Sequence, residues 1–173
     1  ELYDEEVKKI LGIVRQYEEK YGHKIPVVLA GGIRSHEDYV HAMSLGVDGI
    51  QVASRFVPTE ECDADIRYKN AYIQAQEKDI EIVKSPVGMP GRAMHNKLMD
   101  RVAGGERVPA VKCLNCIHIC NPATTPYCIT DALIHAAKGE LDEALLFCGG
   151  KAYEADHIGT VKEVIDSYRF FEE

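Results

Sequence analysis

Ile25-Pro26-Val27-Val28-Leu29-Ala30-Gly31-Gly32-Ile33 and, one helix later, Gly49-Ile50-Gln51-Val52-Ala53-Ser54-Arg55-Phe56 are the stretches that decide the fold. The first opens with six residues rich in β-branched side chains and without polar alternation. Such a run suits a strand covered on both faces, as in a parallel sheet. Gly31-Gly32 closes it. Before it, Val7, Ile10, Leu11, Val14 and Tyr17 recur at helical spacing over residues 4–20. After it, Ser35 followed by Asp38 sets up a variant capping box for a second helix. That helix carries Tyr39, Val40, Ala42, Met43 and Leu45 and stops at Gly46. Helix, strand, helix, strand with tight loops is the order of βα units around a parallel sheet.

The strand ends carry the chemistry. A strand that ends in glycines and turns into a helix offers backbone N–H groups with no Cβ in front of them, and a phosphate can approach closely. In β/α barrels such a site follows the last two strands, at their C-terminal ends. Ala30, Gly31 and Gly32 from the first strand end, with Gln51, Ala53 and Ser54 from the second, are therefore the candidate cofactor-binding residues. The Ser54 hydroxyl adds a donor, and Gln51 is expected to point inward. A plain tight turn is the alternative for a lone Gly-Gly pair; the second strand end at the right distance favours the ligand role.

These two stretches resemble the last two βα units of FMN-binding barrels. The continuation is more selective: Phe56-Val-Pro-Thr-Glu-Glu61, Tyr68-Lys69, Asp79-Ile-Glu-Ile-Val83, Gly88-Met-Pro-Gly-Arg92 and Asn96. It is similar to nitronate monooxygenases (2-nitropropane dioxygenases) and to the related flavin-dependent enoyl-ACP reductases. The resemblance implies the C-terminal part of a TIM-type (β/α)8 barrel and FMN as cofactor. It also implies oxidation of nitronates or nitroalkanes with O₂, or else NAD(P)H-dependent reduction of an enoyl thioester. The family usually has Gly-Thr before Arg-Phe, where this chain has Ala53-Ser54; a small residue and a hydroxyl are kept. By the same resemblance, a histidine that acts on the substrate belongs to a segment upstream of residue 1. A whole barrel takes ~250 residues, so the remaining strands are expected from a longer parent chain or a partner copy.

Residues 64–77 read as a helix, Ile80–Val83 as a strand, 85–92 as loop and 93–102 as helix. Residues 1–103 are thus expected to form the barrel part, and 104–173 a Cys-containing, mainly helical tail. In the tail, helices are expected at 129–138, at 141–147 and after Thr160, which pairs with Glu163 as a capping box. Val161, Val164, Ile165, Tyr168 and Phe171 supply that last helix's apolar positions.

Four of the six cysteines fall in one short stretch, as Cys113-x₂-Cys116-x₃-Cys120-x₇-Cys128. Four thiolates suit tetrahedral zinc or an iron–sulfur cluster, with His118 as a substitute ligand for zinc. The spacing is neither a standard zinc ribbon nor a standard ferredoxin run. Reduced structural or redox thiols and disulfides stay open beside metal. A non-catalytic metal or redox module is accordingly the rival functional class. Cys62 and Cys148 read as small buried hydrophobes, and Gly149-Gly150 as a plain turn. No histidine stands out as catalytic: His36 and His41 are expected on a solvated helix face, and His95 lies near Arg92 and Asn96.

With 173 residues, 46% of them apolar, and a net charge of −8, the chain has the composition of a globular domain with no basic surface for nucleic acid. No run is long and apolar enough to cross a bilayer. A small-molecule substrate and a cytoplasmic setting are expected.

Overall fold

The computed structural model describes residues 2–169. They form two compact units, one of residues 2–53 with 162–169 and one of residues 54–161. The division expected near residue 104 therefore runs through the interior of the second unit. Phe171, assigned above to the last helix, lies outside the described residues.

In the first unit α1 (Leu2–Tyr21) leads to β1 (Val28–Ala30), α2 (His36–Ser44) and β2 (Gly49–Gln51). β1 and β2 pair in parallel, Val28 with Gly49 and Ala30 with Gln51. The Ser35 capping box forms as the sequence predicts: the hydroxyl accepts from the Asp38 N–H, and the Asp38 carboxylate accepts from Ser35 and Arg34. Val7 and Leu11 of α1 pack with Val47 as the unit's core. One expectation fails. β1 is not covered on both faces, since Val28 is 56% exposed. Tyr3, Ile10, Ile13, Tyr17 and Tyr21 of α1 are also exposed. They fall on one flank of the helix, beside the stripe that carries Val7 and Leu11.

In the second unit α3 (Ile66–Gln74) is capped by Asp65, whose carboxylate accepts from the Arg67 N–H. β3 (Ile80–Val83) and β4 (Gly91–Met94) pair antiparallel. β4 is a second correction, because residues 91–92 were read as loop and 93–94 as the start of a helix. The helix α4 (Lys97–Ala103) begins only after Asn96 caps it. The strand wins because its other edge is also paired: the N–H of Met94 donates to Leu146 O at 3.0 Å, and that of Cys148 to Arg92 O at 3.0 Å. This pairing displaces the helix expected at 141–147. Only a 3₁₀ turn at Leu141–Glu143 remains, followed by an extended segment bridged to β4 at Phe147.

Alternation along β4 divides the core in two. Ala93 packs with Val83, Leu98, Met99, Tyr127, Ala132 and Leu145. Met94 packs with Tyr72, Ala136, Ala144, Leu146 and Ala152. α5 (Ile129–Ala137) contributes to both clusters through Ala132 and Ala136. The second unit ends at Val161, whose N–H donates to the Glu61 carboxylate at 2.9 Å; the rest of α6 (Val161–Asp166) belongs to the first unit.

Asn96 ties these elements together. Its amide nitrogen donates to Leu141 O at 2.8 Å and Ala144 O at 2.7 Å, while its amide oxygen accepts from the Met99 N–H at 3.1 Å. Replacing it removes a helix cap and strands two carbonyls. Asn96→Ala is expected to lower unfolding stability by about 2–4 kcal/mol in a denaturant titration. Asn96→Asp, which keeps the acceptor and loses both donors, should still lose a substantial part of that.

Candidate functional site

Of the six candidate cofactor-binding residues, Ala30, Gly31, Gly32, Gln51 and Ala53 lie in the first unit, and Ser54 opens the second. The parallel register sets Ala30 beside Gln51, so Gly31-Gly32 and Val52-Ala53 leave the sheet at the same end. Gly31 and Gly32 have φ of 97° and 73°, the left-handed region open to glycine at little cost. Both are exposed, and a Cβ built on either meets no atom within 4 Å. Space in front of this turn is thus open, as a cradle requires. Gln51 is exposed.

Ser54 is held differently. Its Oγ accepts from the Gly149 N–H at 2.7 Å. A Cβ on Gly149 would lie 3.1 Å from that oxygen, and one on Gly150 3.4 Å from Arg92 Nη1. Neither glycine has a positive φ. Their small size therefore serves close packing, where the sequence reading saw only a plain turn. Beside them the Cys148 thiol is pushed up to about 11, by burial first and against the opposing field of Arg92.

Tyr68 and Lys69 are structural. Tyr68 meets Tyr72 edge-on, with ring centres 5.7 Å apart, and the Tyr72 hydroxyl donates to Phe147 O at 2.8 Å. Lys69 is 7% exposed, and its ammonium donates to Glu60 O at 3.2 Å.

The histidines correct one expectation. His36 is not on a solvated face: it is half-buried and bonded through Nδ1 to Tyr168 O at 2.8 Å. A cavity of about 450 Å³ lies there, lined by His36, Tyr39, Ile50, Ile165, Tyr168 and Arg169. His95 has both ring nitrogens engaged, with Glu81 and Asp100, each at 3.0 Å. Its pKa is raised, chiefly by the hydrogen bond to Glu81. That pairing suits a charged imidazolium in an exposed ion pair rather than a proton acceptor. His41 is exposed and pairs with Asp4 at 3.0 Å.

The cysteine cluster is the main correction. Cys113, Cys116, Cys120 and Cys128 line one cavity of about 400 Å³ with His118 and Asp131. Among the described residues, however, no three His, Cys, Asp or Glu side chains converge as a metal site requires. All six cysteines are free thiols. Cys113 faces the Asn115 amide oxygen at 3.6 Å, and Cys116 the Thr130 hydroxyl at 3.1 Å. These local partners, and Asn115 in a left-handed turn at φ 50°, spread the sulfurs along the cavity wall. The four-thiolate zinc or iron–sulfur arrangement is not formed.

The nitronate monooxygenase family model matches residues 4–168. The chain belongs to that family. A probable nitronate monooxygenase of Staphylococcus saprophyticus is 35% identical over 78 residues, 45% of this chain and 22% of the relative. One of Bacillus subtilis is 32% identical over 76 residues, 44% of this chain and 22% of the relative. These aligned stretches take in about a fifth of the curated relatives' length. Among solved structures, FabK from Thermotoga maritima matches with a TM-score of 0.66 and 25% identity, covering 84% of this chain and 43% of that one. Nitroalkane oxidase from Streptomyces ansochromogenes matches with 0.61 and 18% identity, over 86% and 40%, a likeness of fold alone.

Two outcomes follow from the titrating groups. His95 has a folded pKa above its unfolded value, so its stabilising contribution is complete below about pH 6.5 and is lost as pH rises through the raised value. Stability measured across that interval should fall less steeply in His95→Gln than in the parent protein. In alkylation followed by mass spectrometry at pH 8, exposed Cys113 and Cys116 should react well before Cys148, whose thiol stays protonated.

Proposed function

We propose that the chain carries the phosphate-anchoring end of an FMN-dependent oxidoreductase of the nitronate monooxygenase type, one that oxidises nitronates or nitroalkanes with O₂. The observation that carries this reading is the paired strand end. Two successive exposed glycines at positive φ stand beside Gln51 with open space before them. In this reading Gly31 and Gly32 present backbone N–H groups to the phosphate of FMN. Ala30, Gln51 and Ala53 border the same end of the sheet, and Ser54 supplies a hydroxyl. The chemistry FMN supplies when bound is electron transfer between the substrate and O₂. The chain's own share is to hold and orient the phosphate.

One alternative has an observation of its own. The likeness to FabK is greater, in TM-score and identity, than that to nitroalkane oxidase. It supports an NAD(P)H- and FMN-dependent enoyl-ACP reductase as the second reading. A small-molecule substrate is common to both.

The exposed flank of α1 and the open face at Val28 support a further part of the reading, that more of a β/α barrel or a second copy of the chain covers the first unit. No helix among the described residues is long and apolar enough to cross a membrane. Six unpaired thiols fit a reducing compartment, and the cytoplasm is the setting proposed.

Gly32→Val tests the cradle. The branched side chain fills the space assigned to the phosphate and is strained at this φ. FMN retention should be lost while circular dichroism still shows the parent's secondary structure. Undiminished flavin binding by a folded Gly32→Val protein would overturn the assignment.

A further inference from the structure

Residues 104–128 hold no helix or strand, and one isolated bridge, Val108 to Tyr127, crosses them. A connection of that length without regular structure is uncommon in a compact unit and usually serves function. Its base is fixed. The Val108 N–H donates to Pro126 O at 2.7 Å, the Cys128 N–H donates to Val108 O at 3.2 Å, and Tyr127 is buried in the core. In the tip the backbone bonds are local, Cys120 N–H to Ile117 O and Thr124 N–H to Asn121 O.

Four thiols line the cavity of about 400 Å³ in this loop. None is bonded to another sulfur, and no metal arrangement forms among the described residues. The thiols are not equivalent. Cys128 belongs to the base: it caps α5, and its carbonyl accepts from the Ala132 N–H at 3.0 Å. Cys116 belongs to the tip and is exposed. Its sulfur lies 3.1 Å from the hydroxyl of Thr130, in the first turn of α5 and two residues past Cys128. Cys113 is equally exposed, but its sulfur faces the Asn115 amide oxygen. A hydroxyl can donate to sulfur, whereas an amide oxygen can only accept. Peroxides are attacked by thiolate, and of these two exposed sulfurs Cys116 is the one with a hydroxyl donor beside it.

We propose that Cys116 and Cys128 form a reversible thiol-oxidation site, in which Cys116 attacks a hydroperoxide, Cys128 resolves it and Thr130 positions the attacking sulfur. With hydrogen peroxide as the oxidant, an S–O bond forms on Cys116 as the O–O bond breaks, and water leaves with the thiol proton. The Cys128 sulfur then bonds to the Cys116 sulfur, the S–O bond breaks, and a second water leaves. The two thiols lose two electrons and two protons, and the peroxide takes both. A disulfide needs Cα atoms within about 7 Å of each other. The tip can carry Cys116 to the fixed Cys128 without breaking a helix or strand, and the new bond ties the loop to α5. The proposal does not rest on the flavin reading.

The test treats the full chain with hydrogen peroxide, blocks remaining thiols by alkylation and maps the peptides by mass spectrometry. The expected product is a peptide pair joined through Cys116 and Cys128, lighter by two hydrogens and separated again by dithiothreitol, with Cys148 still reduced. Cys116 should be oxidised about 10-fold or more faster than Cys113. In Cys128→Ser the sulfenic acid on Cys116 should persist and be trapped by dimedone. Thr130→Val should slow Cys116 and leave Cys113 unchanged, and Thr130→Ser should restore the rate. Equal rates at Cys113 and Cys116 in the parent chain mean exposure alone and overturn the site. A link to Cys113 or Cys120 instead, or no link in excess peroxide, overturns the pairing. These last readings use the parent chain and stand even if a variant fails to fold.

Discussion

A Cβ on residue 91 would stand 2.3 Å from the Phe147 ring, closer than two carbons can come. Glycine at that position lets the segment around Phe147 lie close along β4. With it, Phe147 lies flat against the strand, and the segment 146–148 pairs along β4 through Met94, Arg92 and the Ala93–Phe147 bridge. β4 thereby becomes a central strand, and residues 141–148 are pulled out of helix into extended chain. The two apolar clusters exist because that composite sheet separates them, Ala93 and Leu145 on one side, Met94 and Leu146 on the other. Asn96 and the Tyr72 hydroxyl fasten the same segment from either end. The Gly149-Gly150 turn is simply where the fastened segment leaves the strand.

The first unit is constrained by what a two-stranded parallel sheet lacks. Parallel strands are stable when both faces are covered and several strands share the sheet. Here α1 and α2 belong to a unit whose core is small, and the apolar flank of α1 and Val28 face solvent. This exposed apolar surface is what supports the proposal that further chain or a second copy covers the first unit.

Legibility in the sequence follows the range of the forces involved. The Ser35–Asp38 capping box, the α1 stripe, the Gly46 stop and α5 are local, fixed by contacts within a few residues, and the sequence displays them. So does the double-glycine strand end, because positive φ is a local demand. β4 was missed because Gly91-Arg92-Ala93-Met94 follows a proline- and glycine-rich loop and has no alternation. Its strand state comes from partners at 80–83 and 146–148, the second more than fifty residues away. The same distance hid the approach of Arg92 to the Gly149-Gly150 turn. The only signal was a glycine pair with no strand before it. The cysteine spacing misled for the converse reason. Spacing brings thiols into one loop, but metal geometry needs them aimed at one point, and among the described residues no three such side chains converge.

Electrostatics join the half-buried Cys148 thiol to the Arg92 guanidinium. A thiolate at Cys148 would pair with Arg92 and neutralise it. Burial prevents this by holding the thiol protonated well above neutral pH. The positive charge on β4 therefore stays uncompensated from within. Other cations of the same unit are held in pairs, Lys97 with Asp142 and Arg101 with Glu106 and Glu143. Arg92 lies against Gly150 and acts on the protonated Cys148 thiol. The glycines are too small to cover the charge, and the thiol is too acid-weak to quench it. The same packing that closes the second unit's core thus sets the exposed Arg92 side chain against Gly150.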